Sequence, residues 1–232
     1  IKILHLSDLH VAFLFVSAKR VKEAIAKENL DIAVITGDII DSERDIKKFI
    51  RFFKALKLGI PVYFCFGNHD YRALSNDNAR VKAFVTLLTG MGIHVLQNAC
   101  QQIDILGKSY NIIGISDPRY RHQDIDKAFS SCRNISHPTI VLSHHPDTIL
   151  ECGGHRVDYM LSGHYHGGQI KTLLGLEFIK LTLGGEKLHR RGIVNGLHRI
   201  GGSYLYISKG LGNSGLPLRF LAKPEITIHY LP

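Results

Sequence analysis

At 232 residues, with 45% hydrophobic and 21% charged side chains, the chain has an ordinary globular composition. This excludes disorder, collagen-like repeats and a multi-span membrane protein, and no apolar run nears the ~20 residues that cross a bilayer. Lys and Arg total 29 against 20 Asp and Glu, and the net charge of +9 favours an anionic partner: nucleic acid, a phosphorylated metabolite or an acidic membrane surface.

The first third alternates strand and helix. Residues 1–6 (IKILHL) form an apolar strand, and residues 16–30 carry helical spacing at Val21, Ala24 and Ile25. Residues 32–36 (IAVIT) form a second buried strand. Ser42-Glu-Arg-Asp45 is a capping sequence that opens a helix to about Leu58, and Gly59-Ile-Pro61 ends it before the strand 62–66 (VYFCF). These are βαβ units, which imply parallel strands with helices on the sheet faces. A helix over 78–91 follows, then short strands near 94–96, 102–106 and 110–115, and a helix over 124–132. Strands at 139–143 (TIVLS) and 157–162 (VDYMLS) precede a Gly-rich, strand-rich last third that includes 203–208 and 225–230. No repeat or linker divides the chain, so residues 1–232 are expected to form a single domain of two packed sheets flanked by helices.

Four cysteines, Cys65, Cys100, Cys132 and Cys152, are scattered without a CxxC pair, which leads us to expect reduced thiols. The chain starts on a strand, without a signal peptide, and the absence of an initiator Met leaves an upstream anchor open. A cytoplasmic location is expected, with peripheral contact at the inner membrane face as the alternative.

The 14 histidines direct attention to five polar clusters, each just past a predicted strand, where an α/β sheet places its ligands. They are Asp8-Leu-His10, Gly37-Asp38-Ile-Ile-Asp41, Gly67-Asn68-His69-Asp70, Ser143-His144-His145 and Gly163-His164-Tyr-His166. Singly each is weak: a D-x-H is most often accidental, and a GD after a strand is most often a turn. Together they supply oxygen and imidazole donors without thiolate, which suits Mn, Fe, Zn or Ni and argues against a Cys-type structural zinc site. The donors suffice for two ions, and two ions ~3.5–4 Å apart can clamp a phosphate. No Walker A, GxGxxG or kinase signature competes.

The ordered set D-x-H, GD-x-x-D, GNHD, H and GH-x-H resembles the calcineurin-like metallophosphoesterase superfamily over most of the chain. The resemblance implies a four-layer αββα sandwich of two mixed sheets flanked by helices, with a binuclear centre of divalent transition metals, Mn first and Fe, Zn, Ni or Co as alternatives. It implies Asp8, His10 and His166 as ligands of one ion, Asp38 as a bridge, and Asn68, His144 and His164 as ligands of the other. His69 resembles the catalytic histidine that contacts the scissile phosphate, and Asp41 the carboxylate that orients it. Asp70 is expected to cap its loop, and His144 is preferred over His145 as the ligand.

The segments GHYHGGQI (163–170) and YISKGLGNSGLPLRF (206–220) resemble the YkuE-like bacterial branch. That branch implies a phosphodiester or pyrophosphate bond as target, with UDP-2,3-diacylglucosamine of lipid A biosynthesis as the best substrate. The alternatives are a nuclease or cyclic-nucleotide phosphodiesterase, or a non-catalytic scaffold. A phosphorylated small-molecule or lipid-linked nucleotide substrate and a monomer are expected, and nucleic acid is not. Two departures from an ordinary surface stand out. Residues 11–16 (VAFLFV) place Phe13, Leu14 and Phe15 beside a ligand motif, to grip an acyl chain or bilayer or to pack on neighbouring loops. Residues 171–191 carry Lys171, Lys180, Lys187, Arg190 and Arg191 among apolar residues, forming either a lipid-facing element or a plain strand pair.

Overall fold

Two sheets stack face to face in the computed structural model, which describes residues 1–170 and 186–232. The first sheet is built from β1 (Lys2–Leu6), β2 (Ile32–Thr36), β3 (Val62–Cys65), β4 (Ile93–Val95) and β11 (Thr227–Tyr230), in the order β11-β1-β2-β3-β4. The second is built from β5 (Ala99–Ile105), β6 (Lys108–Ile115), β7 (Thr139–Ser143), β8 (Tyr159–Ser162), β9 (Gly196–Ile200) and β10 (Ser203–Ile207), in the order β5-β6-β7-β8-β10-β9. Both are mixed: β1, β2, β3 and β4 run parallel and β11 antiparallel, while β6, β7, β8 and β10 run parallel between antiparallel β5 and β9.

The period-2 alternation of side chains sorts the strands into three cores. Ile3, Ile32, Val34, Tyr63 and Cys65 meet Ile112, Ile140, Leu142 and Leu161 between the sheets. The alternate residues Leu4, Leu6, Ala33, Ile35, Val62 and Phe64 face outward to the helices α1 (Ala18–Ile25), α2 (Ile46–Leu56) and α4 (Asn78–Gly90). On the far side, Ile113, Val141, Met160, Leu205 and Ile207 pack with Ala128 and Phe129 of α5 (Ile125–Ser130) and Leu188 of α6 (Lys187–Arg190). Three cores between four layers is the αββα sandwich expected from the sequence.

Local signals account for most boundaries. Ser17 caps α1 by accepting from the Arg20 amide at 3.2 Å, so that helix starts after residue 16. Ser42 and Asp45 form a capping box ahead of α2, and Lys57, in the left-handed region at φ 48°, stops α2 at Leu56. The sequence reading does not anticipate α3 (Asn68–Ala73), a helix of under two turns that starts inside the GNHD cluster, nor β9.

One expectation is overturned. Cys100 and Cys132 form a disulfide, with Cα atoms 5.1 Å apart, while Cys65 and Cys152 are buried and free. The two partners are separated by 32 residues, and the packing of α5 against β5 is what brings them together. Among the described residues no helix is long and apolar enough to cross a membrane. Lys171 and Lys180 of the apolar and basic stretch lie outside the described residues.

Candidate metal centre

The five clusters converge where β1, β2, β3, β7 and β8 end, along the seam between the two sheets. Asp8, His10, Asp38, Asn68, His144, His164 and His166 are all buried there, each at most 6% exposed. The chain must turn sharply at each strand end, and Asp8, His10, Asp38, His164 and His166 do so at positive φ, between 36° and 75°. Non-glycine residues in that region are uncommon and concentrate where function holds them. Backbone bonds tie the turns to one another. Asp8 N–H donates to Gly37 O at 3.1 Å, His10 N–H to Asp38 O at 3.0 Å, and Gly163 N–H to His144 O at 3.1 Å.

Chelating atoms form two adjoining groups. Asp8, His10 and His166 make one, with His166 Nε2 3.2 Å from Asp8 Oδ1 and 3.3 Å from His10 Nε2. Asp38, His144 and His164 make the other: His144 Nε2 lies 3.1 Å from Asp38 Oδ2 and 3.1 Å from His164 Nδ1. The Asp38 carboxylate also lies 3.7 Å from His10 Nε2, so it reaches both groups. Outer partners set the tautomers. His144 Nδ1 faces the Thr36 carbonyl at 2.8 Å and His10 Nδ1 faces Asp41 at 3.0 Å, which leaves both Nε2 atoms free to coordinate.

An observation independent of any motif supports the fit. Asn68 Oδ1 is buried without a hydrogen-bond partner, an oxygen acceptor with nothing to accept from. Two ions in the two groups would be held by oxygen and imidazole donors only, the set expected for hard-to-borderline divalent metals.

The electrostatics tie the same residues together. Burial opposes charge on Asp38, but the neighbouring His144, His69 and His10 outweigh it and hold the carboxyl well below its usual range. Burial would likewise lower His144, yet Asp38 pushes it up to about 10. His164 and His166 are driven well below the ordinary imidazole value, first by burial, and so present neutral lone pairs.

His69 and Asp41 stand beside the two groups. Asp41 Oδ1 is 2.7 Å from His69 Nδ1, and the same carboxylate takes His10 Nδ1, so one residue orients both rings. Burial would raise Asp41, and the hydrogen bonds from His10 and His69 instead hold it far below the usual carboxylate range. Asp70 caps its loop as expected. It accepts from the amides of Asp38 (2.8 Å), Ile39 (2.8 Å), Ile40 (3.2 Å) and Gly67 (2.9 Å), locking the β2 and β3 turns together. His145 turns away from Asp38 and pairs with Glu186 at 2.6 Å.

Several residues here escape the sequence reading. Asp117 follows β6 at a sixth strand end, so its position alone could have flagged it; it is fully buried and its Oδ2 has no hydrogen-bond partner. Arg219 donates to the carbonyls of Gly212, His166 and Ala222 and pins the 213–221 loop over His166. Glu186 and Arg119 have no spacing cue at all.

A glycine is obligatory at position 67, because a Cβ there would fall on the Asp38 carboxylate and within 2.7 Å of the Asp38 backbone nitrogen. Gly67→Ala is therefore expected to weaken metal binding by about 10–100-fold, the range for disturbing what orients a ligand. Metal content after equilibrium dialysis checks this, and wild-type content would contradict it.

The family model for the calcineurin-like phosphoesterases matches residues 1–168, which contain all five clusters. The chain belongs to this family. The calcineurin-like phosphoesterases are metal-dependent hydrolases, and the relatives fit that frame. An uncharacterized metallophosphoesterase of Bacillus subtilis, YkoQ, is 36% identical over 234 residues, covering 100% of this chain and 83% of its own length. The phosphodiesterase YaeI of Escherichia coli is 30% identical over 233 residues, covering 98% of this chain and 80% of its own. Among solved structures, a dimetal phosphatase from Danio rerio superposes with a TM-score of 0.52 at 12% identity, covering 100% of this chain and 92% of that one, a likeness of fold. As a calcineurin-like phosphoesterase, the chain uses a divalent metal centre, and the two chelating groups are where its residues could build one.

Proposed function

We propose that this phosphoesterase cleaves a phosphodiester or pyrophosphate bond in a lipid-linked nucleotide, with UDP-2,3-diacylglucosamine as the preferred substrate and UMP and a lipid phosphate as products. In this reading Asp8, His10 and His166 would hold one ion and Asn68, His144 and His164 the other, with Asp38 shared between them and Mn as the working metal. Two such ions neutralise the phosphate and make water a competent nucleophile at neutral pH. The protein's own part is to present the phosphorus to that water and to manage one proton. Asp41 accepts a hydrogen bond from His69 Nδ1–H, so the doubly protonated ring carries its second proton on Nε2, the atom that would hand it to the departing oxygen and keep the lone pair.

The observation that carries the lipid assignment is an exposed apolar rim beside the centre. Phe13 and Phe15 are 36% and 73% exposed, three and five residues past His10, while Leu14 and Val16 turn inward and pack on the helix-side core. Across from them Leu216, Leu218, Phe220 and Leu221 are also exposed. Asn213 joins the two loops by donating to the Phe13 carbonyl at 3.1 Å, and Arg219 ties the second loop to His166. Exposed apolar side chains on two joined loops at a site mouth suit an apolar partner, and here that partner is the acyl part of the substrate at an inner membrane face. A nuclease or cyclic-nucleotide phosphodiesterase would be better served by a basic groove with stacking aromatics. A scaffold would have no use for a full set of chelating side chains.

The test uses the Phe13→Ser, Phe15→Ser double variant. With ~0.8 kcal/mol for each buried CH₂, partial loss of two phenyl contacts is expected to lower kcat/KM on the lipid-linked nucleotide by about 10–100-fold. Hydrolysis of bis(p-nitrophenyl) phosphate and the melting temperature are expected to stay at wild-type values. Equal loss on both substrates would overturn the lipid reading and leave the phosphodiesterase reading standing.

A further inference from the structure

Beyond the two groups at the strand ends and the overlapping His10, Asp38 and His69 set, a further set of chelating side chains gathers among the described residues: His145, His164 and Glu186. Glu186 comes from a distant part of the chain, 22 residues past His164, and is nearly buried. Its placement is built in. Asp147 accepts from the Lys187 amide at 2.5 Å and the Leu188 amide at 2.9 Å, and also takes the Tyr165 hydroxyl at 3.0 Å. The start of α6 is thereby fastened to the turn after β7 and to the residue between His164 and His166. From there Glu186 reaches three partners: His145 Nε2 at 2.6 Å, Arg119 Nη2 at 2.6 Å and His164 Nε2 at 3.5 Å.

The cluster could be a third ion site or a device that serves the second one, and two observations choose. Arg119 already donates to Glu186 Oε1, and its guanidinium stands 3.1 Å from His164 Nε2, so a dication there would face a fixed positive charge. His164 also has two ring nitrogens with different surroundings. Nδ1 is 3.1 Å from His144 Nε2, inside the group that Asp38 completes, while Nε2 points to Glu186 and Arg119. For Nδ1 to offer a lone pair to an ion, the proton of the neutral ring must sit on Nε2. Arg119 Nη2, 3.1 Å away, can only donate and so suits a bare Nε2; once Nε2 carries the proton, Glu186 Oε1 at 3.5 Å is the acceptor beside it.

We propose that Glu186 is a positioning residue for the second ion: its carboxylate receives the Nε2 proton of His164, fixing the tautomer that aims Nδ1 into the Asp38–His144 group, while His145 and Arg119 hold the carboxylate in place. This rests on the assignment of His144 and His164 as ligands of the second ion. Glu186 performs for His164 what the Thr36 carbonyl does for His144 and Asp41 for His10.

The full chain, stripped by chelator and titrated with Mn²⁺ under isothermal calorimetry, provides the test. Wild type is expected to take up two equivalents. Glu186→Ala is expected to weaken one binding step by about 10–100-fold, the effect of losing the partner of a ligating histidine, and to leave the other within about threefold. Glu186→Gln, which keeps a carbonyl acceptor without the charge, is expected to recover part of that loss. Raising Mn²⁺ to saturation is expected to restore kcat in both variants, and the melting temperature of the metal-free protein is expected to be unchanged. A merely structural role predicts instead that both steps weaken together and that the metal-free protein melts lower, which would overturn the proposal. Three equivalents in wild type falling to two in Glu186→Ala would overturn it in favour of a third ion site, and wild-type affinities in both variants would overturn it outright. His144→Ala serves as the control: if that variant keeps both steps, the ligand assignment itself is wrong, whatever Glu186 does.

Discussion

Asp38→Ala is expected to cost the protein at least one of the two ions proposed for its centre and nearly all activity. The carboxylate is 1% exposed, lies 3.1 Å from His144 Nε2 and 3.7 Å from His10 Nε2, and also accepts from the His69 amide at 2.8 Å. Removing it takes away the charge shared between two dications and leaves His144 buried without the partner that raises it. Breaking a buried pair by deleting one member is among the costlier changes a protein can suffer, about 3–5 kcal/mol. The check is metal content by elemental analysis together with turnover of bis(p-nitrophenyl) phosphate. Two retained ions with near-normal turnover would show that Asp38 does not bridge.

His69→Ala is expected to separate binding from chemistry. It should keep both ions and lower kcat by about 10²–10⁴, the range for losing a positioned general acid. The outcome is not trivial, because His69 also lies within chelating distance of His10 and Asp38. Its Nδ1, however, is engaged by Asp41 at 2.7 Å, and Arg72 Nη2 approaches the same side of the ring. Loss of an ion in His69→Ala would make His69 a ligand and displace Asn68 from that role. Asp41→Asn is expected to fall between the two cases, since the carboxylate orients His10 as well as His69 and its loss should affect metal affinity and kcat together.

The apolar rim and the metal centre are coupled through Arg219. Its guanidinium is largely buried, its contacts are backbone carbonyls and the His166 ring, and burial lowers its pKa from the usual value. The rim loop is therefore anchored to a chelating residue, and an apolar partner settling on Leu216–Leu221 would touch a loop already fixed relative to the site. On the lipid-linked reading proposed above, that arrangement would let acyl binding place the phosphate without a separate ordering cost.

The amino-acid sequence by itself determined most of the strands and helices, though not α3 or β9, because those signals are local. Alternating apolar residues at 3, 4, 6, 32, 33, 34 and 35 can satisfy both faces of a buried strand only if two layers flank it, and the three cores follow from that. The centre was legible for the same reason. Asp8, Asp38, Asn68, His144 and His164 each lie within three residues of a strand end, and parallel strands carry their ends to one edge. The tertiary structure alone decided what depends on the path of the chain between elements. The Cys100–Cys132 pair, the turn of Leu14 into the core while Phe15 faces out, and the reach of Arg219 to His166 have no local spacing to announce them. Glu186 is the clearest case: an acidic residue in a basic and apolar stretch comes beside His164 only because Asp147 fastens α6 next to the turn after β8. Contacts between residues far apart in sequence are fixed by packing and loop closure, not by periodicity, and a strand-by-strand reading has no means of encoding them.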